Sequence, residues 1–121
     1  MTSFTEPKHA GEFLKWEVSG GLSRDQGILA SGQVLGAGAV LGKITSGGKY
    51  AVYNNGASDG TQVAAGILYG NVDASGGDTP CVVVVRVAEI WRGEIDFADG
   101  MSDGDIAAGL ADLAAQHVIA R

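Results

Sequence analysis

The sequence predicts a small, mainly β domain, barrel-like or sandwich-like, with one short helix in its C-terminal region. Short β-branched or aromatic runs alternate with glycine turns, and a single stretch has helical spacing. Hydrophobic residues make up 45% of the chain, which argues against disorder, and the 20 glycines show no three-residue period, which excludes collagen. A chain of 121 residues most naturally makes one domain with its own core.

Residues 1–11 are polar and lack any periodic pattern, so we expect them to be mobile. They also lack the apolar segment of a secretory signal, which favours a protein made and used in a cytosol. In residues 12–18 the apolar and charged residues alternate, as in a strand with one apolar face; the apolar set is Leu14, Trp16 and Val18. This segment is either an ordinary edge strand or an arm that pairs with a neighbouring chain. We therefore divide the chain into a flexible N-terminal arm with a strand-like segment, residues 1–18, and a single β-rich domain, residues 19–121.

Two oppositely charged neighbours, Arg24 and Asp25, follow this segment and precede a short apolar run. They have two possible roles, a local ion pair or a contact with a neighbouring subunit. An exposed pair contributes only about 0–1 kcal/mol to stability.

Residues 32–68 organise the chain as three short runs of strand-forming residues separated by turns. Residues 40–45 suit a partly buried strand, Gly47-Gly48 permits a tight reversal, and residues 50–53 supply the return strand. Asn55-Gly56 is typical of a type I′ turn. We therefore expect a β-hairpin at the centre of a compact β core.

The next strands are predicted at residues 63–72 and 81–91, with a surface loop at residues 73–80 between them. The continuous valines after Cys81 favour a strand buried on both faces, which we expect to be the central strand. Because Cys81 is the only cysteine, the chain has no intramolecular disulfide. We expect its side chain to be a small buried hydrophobic group.

A short amphipathic helix is predicted from Asp103 to Gln116. Ser102 followed by Asp105 resembles a capping box, and apolar residues recur at helical spacing, at Ile106, Leu110 and Leu113. The final residues, 117–121, are expected to return as a strand.

Composition excludes several classes of function. The formal charge of −6 disfavours direct nucleic-acid binding, because neutralising phosphates requires clustered basic residues. No window approaches the roughly 18 apolar residues of a membrane span, so no membrane partner is expected. The sequence lacks a nucleophile elbow, and we expect a protein that is not an enzyme, with no catalytic residues.

No cofactor or metal site is predicted either. The glycine-rich segments after Gly36 and Gly47 lack the third glycine of a dinucleotide fingerprint and the Ser or Thr of a P-loop. The acidic residues between Asp96 and Asp105 do not have EF-hand spacing, and we ascribe them to the first turn of the helix instead. The two histidines show no zinc-binding spacing.

Several segments together resemble the head decoration protein family of tailed bacteriophages, the lambda head protein D-like family. These are L-G-K-I-T-x-G-G-K-Y at residues 41–50, D-G-T-x-x-A-x-G-I-L at 59–68, G-E-F-L at 11–14, S-R-D at 23–25 and V-I-A-R at 118–121. Each motif is short and several are glycine-rich, but their order and spacing extend over nearly the whole chain.

The resemblance implies a β-tulip-like domain that binds the outer surface of the expanded phage head as trimers at threefold and quasi-threefold positions. It would stabilise the head against the pressure of packaged DNA. The implied partners are the major capsid protein and two further copies of the chain. The implied location is the virion, after synthesis in the bacterial host cytoplasm.

The resemblance also favours the arm interpretation of the N-terminal segment. The capsid-binding residues would then be Phe13, Leu14, Trp16 and Val18. Phe13 and Trp16 would be the anchors, because large aromatic groups dominate interface energies. Arg24 and Asp25 are candidates for a contact between subunits.

Three other functions compete with this one. A carbohydrate-binding or adhesive β module would place Trp16 or Trp91 on a concave face. A biotinyl or lipoyl carrier would modify a lysine at a tight turn, but neither Lys43 nor Lys49 lies in the usual M-K-M or D-K-A context. An enzyme of unknown type has no positive feature in the sequence.

Overall fold

The computed structural model describes residues 9–18 and 21–121, and these residues form a mainly β structure with one C-terminal helix. The predicted fold class is confirmed. The strands are β1 Leu14–Glu17, β2 Arg24–Leu29, β3 Val34–Leu35, β4 Val40–Lys43, β5 Tyr50–Val52, β6 Ala64–Leu68, β7 Val72–Asp73, β8 Thr79–Val84, β9 Ala88–Ile90 and β10 Val118–Ala120, and the helix is α1 Asp103–Ala115.

Five strands close into a barrel in the order β2-β5-β4-β6-β8. The longest ladder is antiparallel and pairs all six residues of β2 with those of β8, whereas β2 meets β5 only at Leu29 and Tyr50. The predicted hairpin is β4–β5, and Gly47 and Gly48 in its connection have φ of 91° and 74°. Glycine is needed there because other residues rarely adopt such angles. The turn at Asn55 and Gly56 is not type I′, because neither residue has a positive φ.

A second sheet, which we call the covering sheet, joins strands from three distant parts of the chain in the order β1-β9-β10. β10 runs parallel to β9, and β1 runs antiparallel to it with a bulge between Leu14 and Trp16. This bulge makes the predicted apolar face of residues 12–18 wrong. The extra residue breaks the alternation, so Trp16 is exposed together with Lys15 while Leu14 is half-buried.

The predicted single strand at residues 81–91 is also wrong, because the chain leaves the barrel after Val84 and enters the covering sheet at Ala88. Between them Val87 has a φ of 49°. A left-handed conformation costs a β-branched residue about 1–2 kcal/mol. Likewise, the predicted strand at residues 63–72 is divided into β6 and β7.

Two groups of buried side chains separate these layers. The inner core contains residues from all five barrel strands, which places it in the barrel interior: Leu29, Ala39, Leu41, Tyr50, Leu68, Ala74, Cys81, Val83 and Val85. The outer core joins outward-facing barrel residues to the covering sheet and α1: Phe13, Val40, Tyr53, Ala64, Ile67, Val84, Ala88, Ile90, Ile95, Leu113 and Val118. The covering sheet and the helix therefore close one side of the barrel.

The predicted helix is confirmed to within one residue at its end. Ser102 is the N-cap, and its side-chain oxygen accepts a hydrogen bond from the Asp105 backbone N–H at 3.2 Å. Gly109 does more than weaken the helix, since a Cβ at this position would lie 2.8 Å from the Tyr53 ring. Its lack of a side chain lets α1 approach the barrel closely.

Candidate functional site

Phe13, a predicted anchor, lies in the outer core of its own chain with no exposed surface. Its backbone carbonyl accepts a hydrogen bond from the Trp91 N–H at 2.8 Å, and the adjacent Leu14 packs against the same core. In this conformation both side chains hold β1 to the domain. Capsid binding by these residues stays a prediction, and the structure gives Phe13 an internal packing role.

Trp16 is placed differently, on a strand at the edge of the covering sheet. Its side chain is 54% exposed. The last predicted arm residue, Val18, is half-buried and donates its backbone N–H to the Val87 carbonyl at 3.2 Å. Of the four predicted residues, Trp16 is therefore the one that presents a large apolar surface to solvent.

Arg24 connects β1 to the barrel through a cluster of charged and aromatic groups. It makes two hydrogen bonds to the Glu17 carboxylate, one of them from Nε at 3.1 Å, and Ser23 donates a third to the same carboxylate. The Arg24 guanidinium lies 3.9 Å from the centroid of the Tyr69 ring, a cation–π contact. Gly11 packs against the same ring, and a Cβ at this position would lie 2.8 Å from the Tyr69 ring.

This cluster, which we call the β1 clasp, consists of Gly11, Glu17, Ser23, Arg24 and Tyr69. The hydrogen bond from Arg24 is the main reason that the pKa of Glu17 is lowered. Burial acts in the opposite direction, and the hydrogen bond from Ser23 lowers the pKa further. Since a charged hydrogen bond favours the ionised carboxylate, the clasp is strongest when Glu17 is ionised.

Asp25 has a separate partner, Arg86, at the other side of β2. The two side chains form a bidentate pair with distances of 3.1 and 2.8 Å, and Arg86 also donates to the Leu22 carbonyl at 2.7 Å. Arg24 and Asp25 thus form ion pairs with Glu17 and Arg86 respectively, and the local pair between the two neighbours, both of which the structure describes, is not observed. A contact of these two residues with a neighbouring subunit stays a prediction.

A second exposed aromatic residue is Trp91, at the end of the segment for which the sequence predicts a buried strand. It is 45% exposed at the end of β9, and the Lys15 ammonium lies 5.0 Å from its ring centroid. A groove of about 570 Å³ runs beside it, lined also by Glu12, Gly93 and Glu94. The polar residues that follow Trp91 in the sequence are the signal that its position is at the surface.

Charged side chains on the covering sheet surround this region. Glu89 of β9 lies 3.9 Å from the Lys15 ammonium and 3.5 Å from the Arg121 guanidinium. Trp16 on β1 and Trp91 directly after β9 are thus two exposed aromatic residues at the covering sheet, and aromatic residues are enriched at protein-binding surfaces.

Neither a metal-binding cluster nor a membrane-spanning helix is present in the part of the chain that the structure describes. Within residues 9–18 and 21–121, no group of three or more His, Cys, Asp or Glu side chains is arranged to hold a metal ion. No helix in these residues is long and apolar enough to cross a membrane. Cys81 is buried as expected, and this burial raises the pKa of its thiol.

Comparison with known proteins identifies the family. A search of curated proteins found no match. The family model described as bacteriophage lambda head decoration protein D matches residues 3–118, which include the barrel, the helix and most of the covering sheet. The chain therefore belongs to the bacteriophage lambda head decoration protein D family.

Proposed function

We propose that this protein decorates the head of a tailed bacteriophage by binding the outer surface of the expanded capsid. The observation that carries the proposal is the family match over residues 3–118. The mainly β fold and the two exposed tryptophans of the covering sheet support it, because a decoration protein needs a rigid domain and a surface that can bind the shell. The partner would be the major capsid protein, and the location the virion after synthesis in the host cytoplasm.

The proposed assembly is a homotrimer at threefold and quasi-threefold positions of the shell. A ligand that binds only the expanded lattice stabilises that lattice by RT ln(1 + [L]/Kd). Once one subunit of a trimer is bound, the other two bind at high effective concentration, which increases the total affinity. By this linkage the bound protein would resist the outward pressure of packaged DNA.

The proposed contact with the capsid is the arm, residues 1–18. β1 lies at the edge of the covering sheet, and an edge strand can pair with an extended segment of another chain. Trp16 is exposed on this strand, whereas Phe13 is buried beneath it. We infer that Phe13 and Leu14 fix the position of β1 and that Trp16 contributes the main apolar contact. The expected boundary after residue 18 adjoins residues 19–20, which lie outside the described residues, as do residues 1–8.

The test is co-sedimentation of the protein with expanded, undecorated capsids of its own phage. Deleting residues 1–18 would also remove Phe13 from the outer core, so the informative variants are a deletion of residues 1–8 and Trp16→Ala. The matched control is Val34→Ala, since Val34 is 62% exposed on the short strand β3 and away from the covering sheet.

We expect saturation at a copy number compatible with threefold positions, and we expect Trp16→Ala to weaken binding about 30-fold, the effect of losing an interface hot spot. Val34→Ala should bind like the wild type. If neither Trp16→Ala nor the deletion alters binding, the arm hypothesis is wrong although decoration stands. If the unmodified protein does not bind expanded capsids, the decoration hypothesis itself is wrong.

A carbohydrate-binding or adhesive module is the second candidate, and the groove beside Trp91 is the observation that favours it. Tryptophan rings and carboxylates, here Trp91 with Glu12 and Glu94, are groups suited to contacting sugar rings and hydroxyls. Glycan-array binding that is abolished by Trp91→Ala and retained by Trp16→Ala would support this function. Absence of glycan binding would exclude it.

A further inference from the structure

The dipeptide Asn55-Gly56 lies in the loop after β5, and both residues are exposed. Its sequence is typical of a type I′ turn, yet neither residue has the positive φ that this turn requires. The dipeptide therefore does not form this turn. What the structure shows instead is a side-chain bridge from Asn55 to the helix.

The Asn55 amide connects the loop to the first turn of α1. Its Nδ2 donates to the Asp105 carboxylate oxygen Oδ1 at 2.8 Å, and its Oδ1 accepts from the Tyr53 hydroxyl at 3.3 Å. The same hydroxyl lies 2.9 Å from the Asp105 carbonyl oxygen, so its single proton is shared between the two oxygens, with the shorter distance to Asp105. Asp105 in turn donates its backbone N–H to the N-cap Ser102. The bridge depends on an amide because a carboxylate such as Asp105 accepts hydrogen bonds and cannot donate one when ionised.

We propose that Asn55 is a site of spontaneous deamidation, and that its conversion breaks the bridge between the loop and α1. In the first step the backbone nitrogen of Gly56 attacks Cγ of Asn55. The Cγ–Nδ2 bond breaks, and the amide nitrogen leaves as ammonia with the proton lost from the Gly56 N–H. Water then opens the resulting cyclic imide to give an aspartate or an isoaspartate at this position.

Glycine makes the first step accessible, because a residue without a Cβ leaves its backbone nitrogen open to close approach. Two hydrogen bonds of the folded protein oppose the step. The Gly56 N–H donates to the Asn54 side-chain oxygen at 3.1 Å, and the Asn55 amide is held by Asp105. Both hydrogen bonds must break before the imide ring can close. The folded structure therefore slows the reaction even though Asn55 is exposed to solvent.

The aspartate or isoaspartate that deamidation produces would break the bridge between the loop and α1. A carboxylate at position 55 would face the Asp105 carboxylate across the space now filled by a 2.8 Å hydrogen bond. Two like charges at this distance repel each other, and neither can donate. The loop would separate from the helix, and the deamidated chain could not re-form the original contact.

The first arm of the test is chemical. The purified full chain is incubated in warm, mildly alkaline buffer, and each asparagine is followed by peptide mass mapping. We expect Asn55 to convert faster than Asn54 and Asn71, the other two asparagines. Gly56→Ala should slow the conversion severalfold; its added Cβ would meet only the Asn54 oxygen at 3.6 Å, an ordinary contact, so the fold should be retained.

The second arm measures the consequence for stability. We expect Asn55→Asp to lower the melting temperature by about 2–5 °C. Asn55→Asp combined with Asp105→Asn should recover most of this loss, because the amide and the carboxylate then exchange places. Conversion of Asn55 no faster than that of Asn71, or an Asn55→Asp variant as stable as the wild type, would overturn the proposal. Neither arm uses capsids, so the result is independent of the proposed decoration function.

Discussion

The longest ladder of the barrel pairs six residues of β2 with six of β8, whereas the covering sheet joins strands of four, three and three residues. The barrel encloses its own core, but the covering sheet is buried on one side only, against the barrel and α1. Its edge strand β1 is fixed by Phe13 below and by the β1 clasp at its end. We therefore expect a destabilising substitution in the barrel to affect the whole molecule, and one in the covering sheet to unfold mainly that sheet.

Leu41 tests the barrel and should give the largest effect. Its side chain has no exposed surface in the inner core, and truncation of such a leucine costs about 2–5 kcal/mol because a cavity is left behind. We expect Leu41→Ala to lower the denaturant midpoint in one cooperative transition. Val63→Ala, at a 49% exposed position, is the control and should change stability by less than about 0.5 kcal/mol. If Leu41→Ala were tolerated as well as Val63→Ala, the barrel would not be the stable unit of the molecule.

Phe13 tests the covering sheet. Truncating a buried phenylalanine costs about 3–5 kcal/mol when the whole structure must bear the loss. Here β1 can separate from the sheet, which limits the global cost to about 3 kcal/mol or less. Hydrogen exchange of Phe13→Ala should show lost protection in β1 and β9 while β2 and β8 remain protected. Equal loss in all four strands would mean that the two regions unfold as one.

The β1 clasp should give an intermediate and pH-dependent effect. Removing hydrogen bonds to the Glu17 carboxylate should cost roughly 1–2 kcal/mol at neutral pH. Because the folded-state pKa of Glu17 is lowered from its ordinary value of 4.5, its contribution is present above that value. The contribution is lost as the pH falls through the lower folded-state pKa.

Chemical denaturation of wild type and Glu17→Gln across this pH range measures the clasp. The wild type should be more stable at neutral pH, and the difference should vanish in acid. A difference that does not change with pH would show that the ionised carboxylate is not what the clasp requires.

The ion pair between Asp25 and Arg86 should give the smallest effect. Both side chains are substantially exposed, 44% and 40%, so solvent screens their attraction. Asp25→Asn should cost about 0.2–1 kcal/mol, and added salt should reduce that cost further. A larger loss that is insensitive to salt would indicate a structural role for Asp25 beyond this pair.

Local signals in the sequence were sufficient for the elements that local chemistry determines. Gly47 and Gly48 marked the β4–β5 reversal because both need a positive φ, and Ser102 marked the helix start through its capping bond. The family resemblance, drawn from the order of several glycine-rich motifs, was confirmed by the match over residues 3–118.

Other features depend on distant contacts and were not predictable. The strand break at Val87 was not predictable from the valine run, because this run contains no glycine or proline, the residues that usually mark such a break. The bulge in β1 reversed the expected position of Trp16, since strand alternation alone cannot reveal an extra residue. The partners of Arg24 and Asp25 come from β1 and from the segment after β8, so neither pair was visible from local sequence.

The strand order of the covering sheet has a consequence for synthesis. All five barrel strands have left the ribosome once residue 84 has emerged, but β1 must wait for β9, and β10 is complete only at residue 120. During that interval the outward-facing Val40, Ile67 and Val84 lack their cover. Contacts between residues so far apart form late, so the nascent barrel should be most prone to aggregate before β10 has been synthesised.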